Sequence, residues 1–463
     1  MPSNPKPSRS EITDAINSYL EETGEVEETA EPAPIRDFDL GTKLHDIKMD
    51  EAGNAITNSN LLEMPDIGWD ISTREKREKI VNYLLWINEA LKWYGEELKK
   101  RGLMHEAEEI INYSPLINER FPTIENRINA AKAYLETDYI KALSVIDEPL
   151  PQQDFEDSLN KALEALKDST GVLQLRRDID TIIIPDIHGR RKEFAKILMK
   201  KDEKGVSNIE KLERGELQIV CIGDAMHTLH DPERWEDALD ETLSGTDSMP
   251  KLEDEIKDSL TTEKIIMYLI GRFPDFFHYT KGNHDNVKNS SEGGDHQFLK
   301  FEVPLAYVTQ KWVERKYSNP YEFLDKWSEF EHKLPLLAIG NNFVTSHAEP
   351  CKYLLHDAED SKENKEVNLT LDDIVNRKPE AVDALTWSRD DKCGGNIADK
   401  ILAIVGQDPK NSYYFVGHTE YNGKFAQLPN HVVRVNNGFR LEYIFIPAKE
   451  QFDPKKHILT AGK

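Results

Sequence analysis

The chain has 463 residues, 38% of them hydrophobic and 31% charged, and a formal net charge of −26. That length predicts more than one core, and the acidic balance excludes nucleic acid as a bulk partner, because phosphate backbones are bound by basic surfaces. No apolar run reaches the roughly 18 residues of a membrane-spanning helix, so no membrane partner is expected. Met1 to Ser10 is polar and lacks the apolar core of a secretory signal. Cys221, Cys351 and Cys393 show no C-x-x-C spacing and no disulfide framework, which makes a reducing cytoplasm the expected location.

Residues 1–70 are acidic and Pro-dotted without sustained periodicity, and read as a disordered, solvating tail. Residues 71–175 read as an all-α interaction module. Ile80, Leu84, Ile87, Leu91, Tyr94 and Leu98 fall on one helix face, and Gly102 closes that helix. Later helices are expected around Ile124 to Leu135, Tyr139 to Ile146 and Phe155 to Leu166. Two similar turns place Ala107 and Ala142 35 positions apart. That is close to the tetratricopeptide period of about 34, so the module is either tetratricopeptide-like or an ordinary helical bundle. A protein partner is its expected use.

The texture changes at Ile179. Thr181 to Ile184 is a β-branched strand followed by a turn and a helix from about Arg190 to Met199; Leu217 to Ile222 and Phe276 to Thr280 repeat the device. Such alternation predicts an α/β fold with a parallel sheet whose active edge lies at the strands' C-terminal ends. Leu336 to Ile339, Asn342 to Ser346, Tyr413 to Val416, His431 to Val435 and Glu442 to Ile446 are spaced more closely and predict a second, more antiparallel sheet. Residues 176–463 are therefore expected to form the catalytic domain. An acidic insert near 230–260, with Trp235 in it, reads as a solvated excursion or as a lid over the site.

Strand ends deliver the chemistry: Asp186-Ile187-His188-Gly189, Gly223-Asp224, Gly282-Asn283-His284-Asp285, Ser346-His347-Ala348 and Gly417-His418-Thr419. Each alone is an ordinary turn. Together they present carboxylates, an amide and imidazoles at one edge, a donor set suited to manganese, iron or zinc. A carboxylate such as Asp224 can bridge two such ions.

This ordered set resembles the calcineurin-like metallophosphoesterase superfamily, closest to its phosphoprotein phosphatase branch and bacterial relatives, over roughly Thr181 to Pro447. The resemblance implies a four-layer αββα sandwich with two divalent ions as cofactors. It implies Asp186, His188 and Asp224 on one ion, and Asp224, Asn283, His347 and His418 on the other. It implies a metal-bridging hydroxide as nucleophile and His284 as the acid that protonates the leaving oxygen. The phosphorylated substrate would be a phosphoprotein or a small phosphomonoester; the alternatives are a nucleotide or dinucleoside-polyphosphate hydrolase and a scaffold with a vestigial site.

The chain also departs from the family pattern. An Asp-Arg pair normally follows the second motif, where the Asp orients the catalytic His and the Arg binds phosphate. Here Asp224-Ala225-Met226-His227 puts a histidine in the orienting slot and no arginine after it. Arg389, Arg190 and Lys281, the last standing where an arginine commonly precedes the third motif, are the candidate phosphate-binding residues.

Overall fold

The protein is described here from a computed structural model, which covers residues 139–141, 143–145, 150–229, 232–244, 249–354, 366–389 and 395–462. The expected acidic tail and the two tetratricopeptide-like turns fall outside these residues, apart from a few positions around Tyr139 to Leu143. The chain divides into two compact units, Met1–Ala142 and Leu143–Lys463. Everything below belongs to the second unit.

Its strands are β1 (Val172–Gln174), β2 (Asp180–Ile184), β3 (Leu217–Cys221), β4 (Phe277–Tyr279), β5 (Leu337–Ile339), β6 (Phe343–Ser346), β7 (Tyr413–Val416), β8 (Ala426–Gln427), β9 (Val432–Arg434), β10 (Glu442–Ile446) and β11 (Ile458–Thr460). They form two sheets, in the orders β1-β5-β6-β7-β9-β8 and β11-β10-β2-β3-β4. In the second of these, β2, β3 and β4 run parallel, with Ile182 opposite Ile219 and Cys221 opposite Tyr279.

Two sequence expectations are corrected here. Glu442–Ile446 joins the sheet of β2, antiparallel to it, instead of the later sheet. The later sheet is mixed: β1 with β5, β6 with β7 and β7 with β9 are parallel pairs. Close spacing along the chain suggested hairpins, yet the β6–β7 connection is a long crossover, and crossovers make parallel neighbours.

The sheets meet face to face. Ile183, Val220 and Ile444 of one share a buried cluster with Ala338, Phe415 and Val433 of the other. Because side chains alternate along a strand, Tyr414 and Val416 point the other way, into a second cluster with Ile374, Ala381 and Ile401. Those three come from helices Leu371–Val375, Pro379–Val382 and Ala398–Ile404, which cover the outer face of that sheet. Helices also flank the β2–β3–β4 sheet. Helix α1 (Gln152–Ala165) packs on a long helix, Pro250–Arg272, and sets Phe155 5.3 Å from Phe323 and 5.0 Å from Trp327, ring centre to ring centre. Among the described residues no helix is long and apolar enough to cross a membrane.

The acidic insert is a packed element rather than a solvated excursion. Within it α2 (Pro232–Ser244) lies against α3 (Pro250–Arg272), and Trp235 is fully buried. The charges hid the burial: Trp235, Ala238 and Thr242 recur at helical spacing on one face, while the acidic residues take the other. Cys351 is disulfide-bonded and Cys221 is a buried free thiol.

Candidate metal centre

The C-terminal ends of β2, β3, β4, β6 and β7 converge. Asp186, His188 and Asp224 offer ligand atoms within 4.8 Å of one another, and so do Asp224, His347 and His418. Asp224 belongs to both groups. Asn283 joins the second through its Oδ1, 3.0 Å from His347 Nε2. All of these residues are buried.

The backbone is shaped around these side chains. His188, Asp224 and His418 have φ of 46°, 55° and 56°, a left-handed conformation that non-glycine residues rarely adopt and that persists where surroundings over-determine it. The glycines of the third and fifth motifs make room: a Cβ on Gly282 would strike the Asp224 carboxylate, and one on Gly417 would strike Asp186. Asp285 ties two loops together, its Oδ1 accepting from Tyr279 at 2.8 Å and its Oδ2 from the Gly282 amide at 2.6 Å. The His284 amide donates to Asp224 Oδ1 at 2.8 Å.

Hydrogen bonding fixes which ring nitrogens face inward. His188 Nδ1 donates to the Met226 carbonyl at 3.0 Å and His347 Nδ1 to that of Ile222 at 2.7 Å. Histidines that bind metals are commonly oriented this way, leaving Nε2 bare towards the ion. Around His347 Nε2 lie Asn283 Oδ1, His418 Nδ1 at 3.1 Å and Asp224 Oδ2 at 3.4 Å. Electron-pair donors gathered this closely repel unless a cation or proton stands between them. The electrostatics agree. Burial works against the charged ring of His347, yet Asp224 and Asp186 push its pKa up to about 9. Burial raises the Asp186 carboxyl, with His347 opposing and Asp224 reinforcing it. Burial also works to raise Asp224, but His347 and His284 pull it well below the usual carboxylate range. The donor set therefore fits metal ions, with Asp224 common to the two groups.

His284 is buried, its ring 5.1 Å from that of His188 and 4.5 Å from that of Phe298, with burial driving its pKa well below the ordinary value. A cavity of about 220 Å³ opens over His188, Asp224, Asn283, His284 and His418. Leu229, Lys300, Arg389 and Glu420 complete its lining. Among the described residues nothing pairs with the Arg389 guanidinium.

The other two candidate phosphate residues are placed elsewhere. Arg190 donates to the carbonyls of Ile187 and Asn437, each at 2.9 Å, and to that of Asp186, which engages its guanidinium in holding the loops together. Lys281 is buried, 3.3 Å from Asp295, with its ammonium also on the Asp285 carbonyl. Neither lines the cavity. Lys300 and Glu420 are not among the residues the motifs predict; Glu420 directly follows Gly417-His418-Thr419, while nothing local marks Lys300.

No family model matches the chain, and no curated protein matches it. Among solved structures it is similar to a protein serine/threonine phosphatase from Saccharomyces cerevisiae with similarity to human phosphatase PP5, at 14% identity and a TM-score of 0.40, covering 67% of this chain and 89% of that one. It is similar to a cold-active protein-tyrosine phosphatase of a psychrophile Shewanella species, at 13% identity and a TM-score of 0.34, covering 63% of this chain and 82% of that one. A candidate diadenosine tetraphosphatase aligns at 14% identity and a TM-score of 0.30, over 63% of this chain and 97% of its own.

Proposed function

We propose that the chain is a dinuclear metal-dependent phosphoesterase that hydrolyses a phosphomonoester. The observation behind this reading is the sharing of Asp224 by two buried ligand groups, each with imidazole nitrogens turned inward by carbonyls at their backs. Asp186, His188 and Asp224 would hold one ion, and Asp224, Asn283, His347 and His418 the other. Bound there, such ions supply charge neutralisation at the phosphoryl oxygens and a water of lowered pKa.

The chain's own side chains do the rest. Arg389, unpaired among the described residues and lining the cavity, binds phosphoryl oxygens and orients the ester. His284 reaches the same cavity and acts as the acid in its doubly protonated form, which the bound phosphoryl dianion favours against burial: Nδ1 keeps its proton and the other ring nitrogen gives its own to the leaving oxygen as the ester bond breaks. Closely packed rings around His284 keep bulk water from competing for that proton.

The test compares wild type, Asp224→Asn and His284→Ala, each with added manganese, on an aryl phosphate, a phosphopeptide and a dinucleoside polyphosphate. Turnover of the two monoesters, lost in Asp224→Asn and lowered by about 10²–10⁴-fold in His284→Ala, is expected. Preference for the dinucleoside polyphosphate would replace this reading with a nucleotide hydrolase. Absence of turnover on all three would replace it with a scaffold that keeps the site without using it.

A further inference from the structure

Of the three candidate phosphate-binding residues only Arg389 lines the cavity, since Arg190 and Lys281 are engaged elsewhere. Lys300 is nevertheless in the lining, on a loop anchored at its base. Asn286 Nδ2 donates to the carbonyls of Ser290 and His296, at 2.8 and 3.1 Å, and Asn289 Oδ1 accepts from the Phe298 amide at 3.0 Å. Phe298 then packs on His284. Both asparagines lie just past Gly282-Asn283-His284-Asp285, so the loop is built out of the catalytic motif itself.

The tip of this loop is a two-residue turn. The Lys300 and Val303 amides donate to each other's carbonyls, at 3.1 and 2.9 Å, with φ of 57° at Phe301 and 63° at Glu302. That geometry is the province of Asn-Gly and glycine, and bulky residues adopt it only under strain. Strained backbone that survives in a fold is a pointer to function. What this turn does is aim Lys300 at the cavity.

The Lys300 ammonium stands 3.8 Å from Glu420 Oε1, beyond hydrogen-bonding range, with the two side chains 37% and 51% exposed. An ion pair this exposed and this loose contributes little, so a phosphoryl dianion can take the lysine from it. Glu420 is seated against Gly438, where a Cβ would lie 2.8 Å from its Oε2.

We propose that Lys300 is a phosphoryl-binding residue of this site, the second cation of the lining with Arg389. Glu420 is its resting counter-ion and disfavours a second anionic group on the substrate, so the pocket selects single phosphates over oligophosphates. The proposal rests on the phosphoesterase reading above for its substrate but not for its anion.

The experiment uses the manganese-loaded full chain as wild type, Lys300→Ala, Lys300→Arg and Glu420→Gln. It reads the dissociation constant of inorganic phosphate by calorimetry, and KM and kcat on p-nitrophenyl phosphate and pyrophosphate. Lys300→Ala is expected to raise both the phosphate constant and KM about tenfold with little change in kcat, and Lys300→Arg to restore them. Glu420→Gln is expected to shift kcat/KM towards pyrophosphate; an unchanged ratio removes Glu420 from the proposal. Should Lys300→Ala lose cooperative unfolding, Lys300→Met keeps an unbranched apolar stem without the charge and serves the same comparison. Phosphate affinity that is absent in wild type, or indifferent to Lys300, overturns the proposal even if hydrolysis is normal. Lys300-dependent phosphate binding without hydrolysis of any ester sinks the phosphoesterase reading and leaves the lysine in place.

Discussion

His227 and His284 face each other through like atoms, Nδ1 to Nδ1 at 3.0 Å, with both rings buried. One proton must lie between them, and the surroundings decide whose it is. Thr309 donates its hydroxyl to the Leu305 carbonyl at 3.1 Å, so its oxygen can only accept from His227 Nε2, 3.4 Å away. His227 therefore carries its proton on Nε2 and accepts at Nδ1, and the proton between the rings belongs to His284 Nδ1. Burial, reinforced by His188, pushes the pKa of His227 down to about 3, which keeps the ring neutral. A neutral imidazole thus holds the proposed acid where the family pattern has a carboxylate.

Removing that acceptor should unmoor His284 without touching a ligand. His227→Ala is expected to lower kcat by about 10–100-fold with KM and manganese content unchanged. His227→Asn, which can still offer an acceptor oxygen, should recover much of the loss. Nitrogen-15 NMR of the protein would show His284 protonated at Nδ1 and His227 at Nε2; the opposite pair of tautomers would refute the wiring through Thr309.

Asp224 is shared and His418 is not, so their substitutions should differ in kind. Manganese titration of His418→Ala is expected to retain one tight ion and weaken the other. Asp224→Asn should weaken both, by about 10–100-fold or more. Ion binding to the native state alone raises stability by mass action, so chelation should lower Tm in wild type and hardly move it in Asp224→Asn. Identical titrations for the two variants would mean that Asp224 does not serve both groups.

Trp235 joins the insert to the site, its Nε1 donating to the Thr228 carbonyl at 2.7 Å and its ring lying 5.8 Å from that of His227. Trp235→Ala should cost about 3–5 kcal/mol in urea unfolding, for the cavity it leaves, and depress kcat as the loop around His227 relaxes. Trp235→Phe keeps most of the volume and loses the donor, at about 1–3 kcal/mol. A wild-type unfolding midpoint in Trp235→Ala would show that the insert does not support the loop.

His278 on β4 gives stability an acid limb. Burial pushes its pKa down from 6.5 to about 4, and among the described residues its Nε2 has no partner. Between those values the unfolded chain binds a proton that the folded one refuses. Its contribution is thus complete above about pH 6.5 and falls away as the pH drops towards 4, by an amount of the order of 3 kcal/mol. His278→Asn should flatten the dependence of urea stability on pH in that window, and an unchanged slope would show that other groups set it.

The strands that carry the motifs were legible from the residues alone, because β-branched runs such as Thr181 to Ile184 and the turns after them are local signals. So were the candidate ligands, since carboxylate, amide and imidazole after consecutive strand ends leave few other chemistries. Which atoms meet was settled by the folded chain: that His227 and His284 face each other through Nδ1, that Arg389 reaches the cavity while Arg190 and Lys281 are held elsewhere, and that Lys300 arrives from a strained turn. The sheet membership of Glu442–Ile446 and the burial of Trp235 belong with these. Pairing across a sheet, the choice of hydrogen-bond partner and the direction of a long side chain depend on contacts between residues far apart in the chain, and no local pattern encodes them.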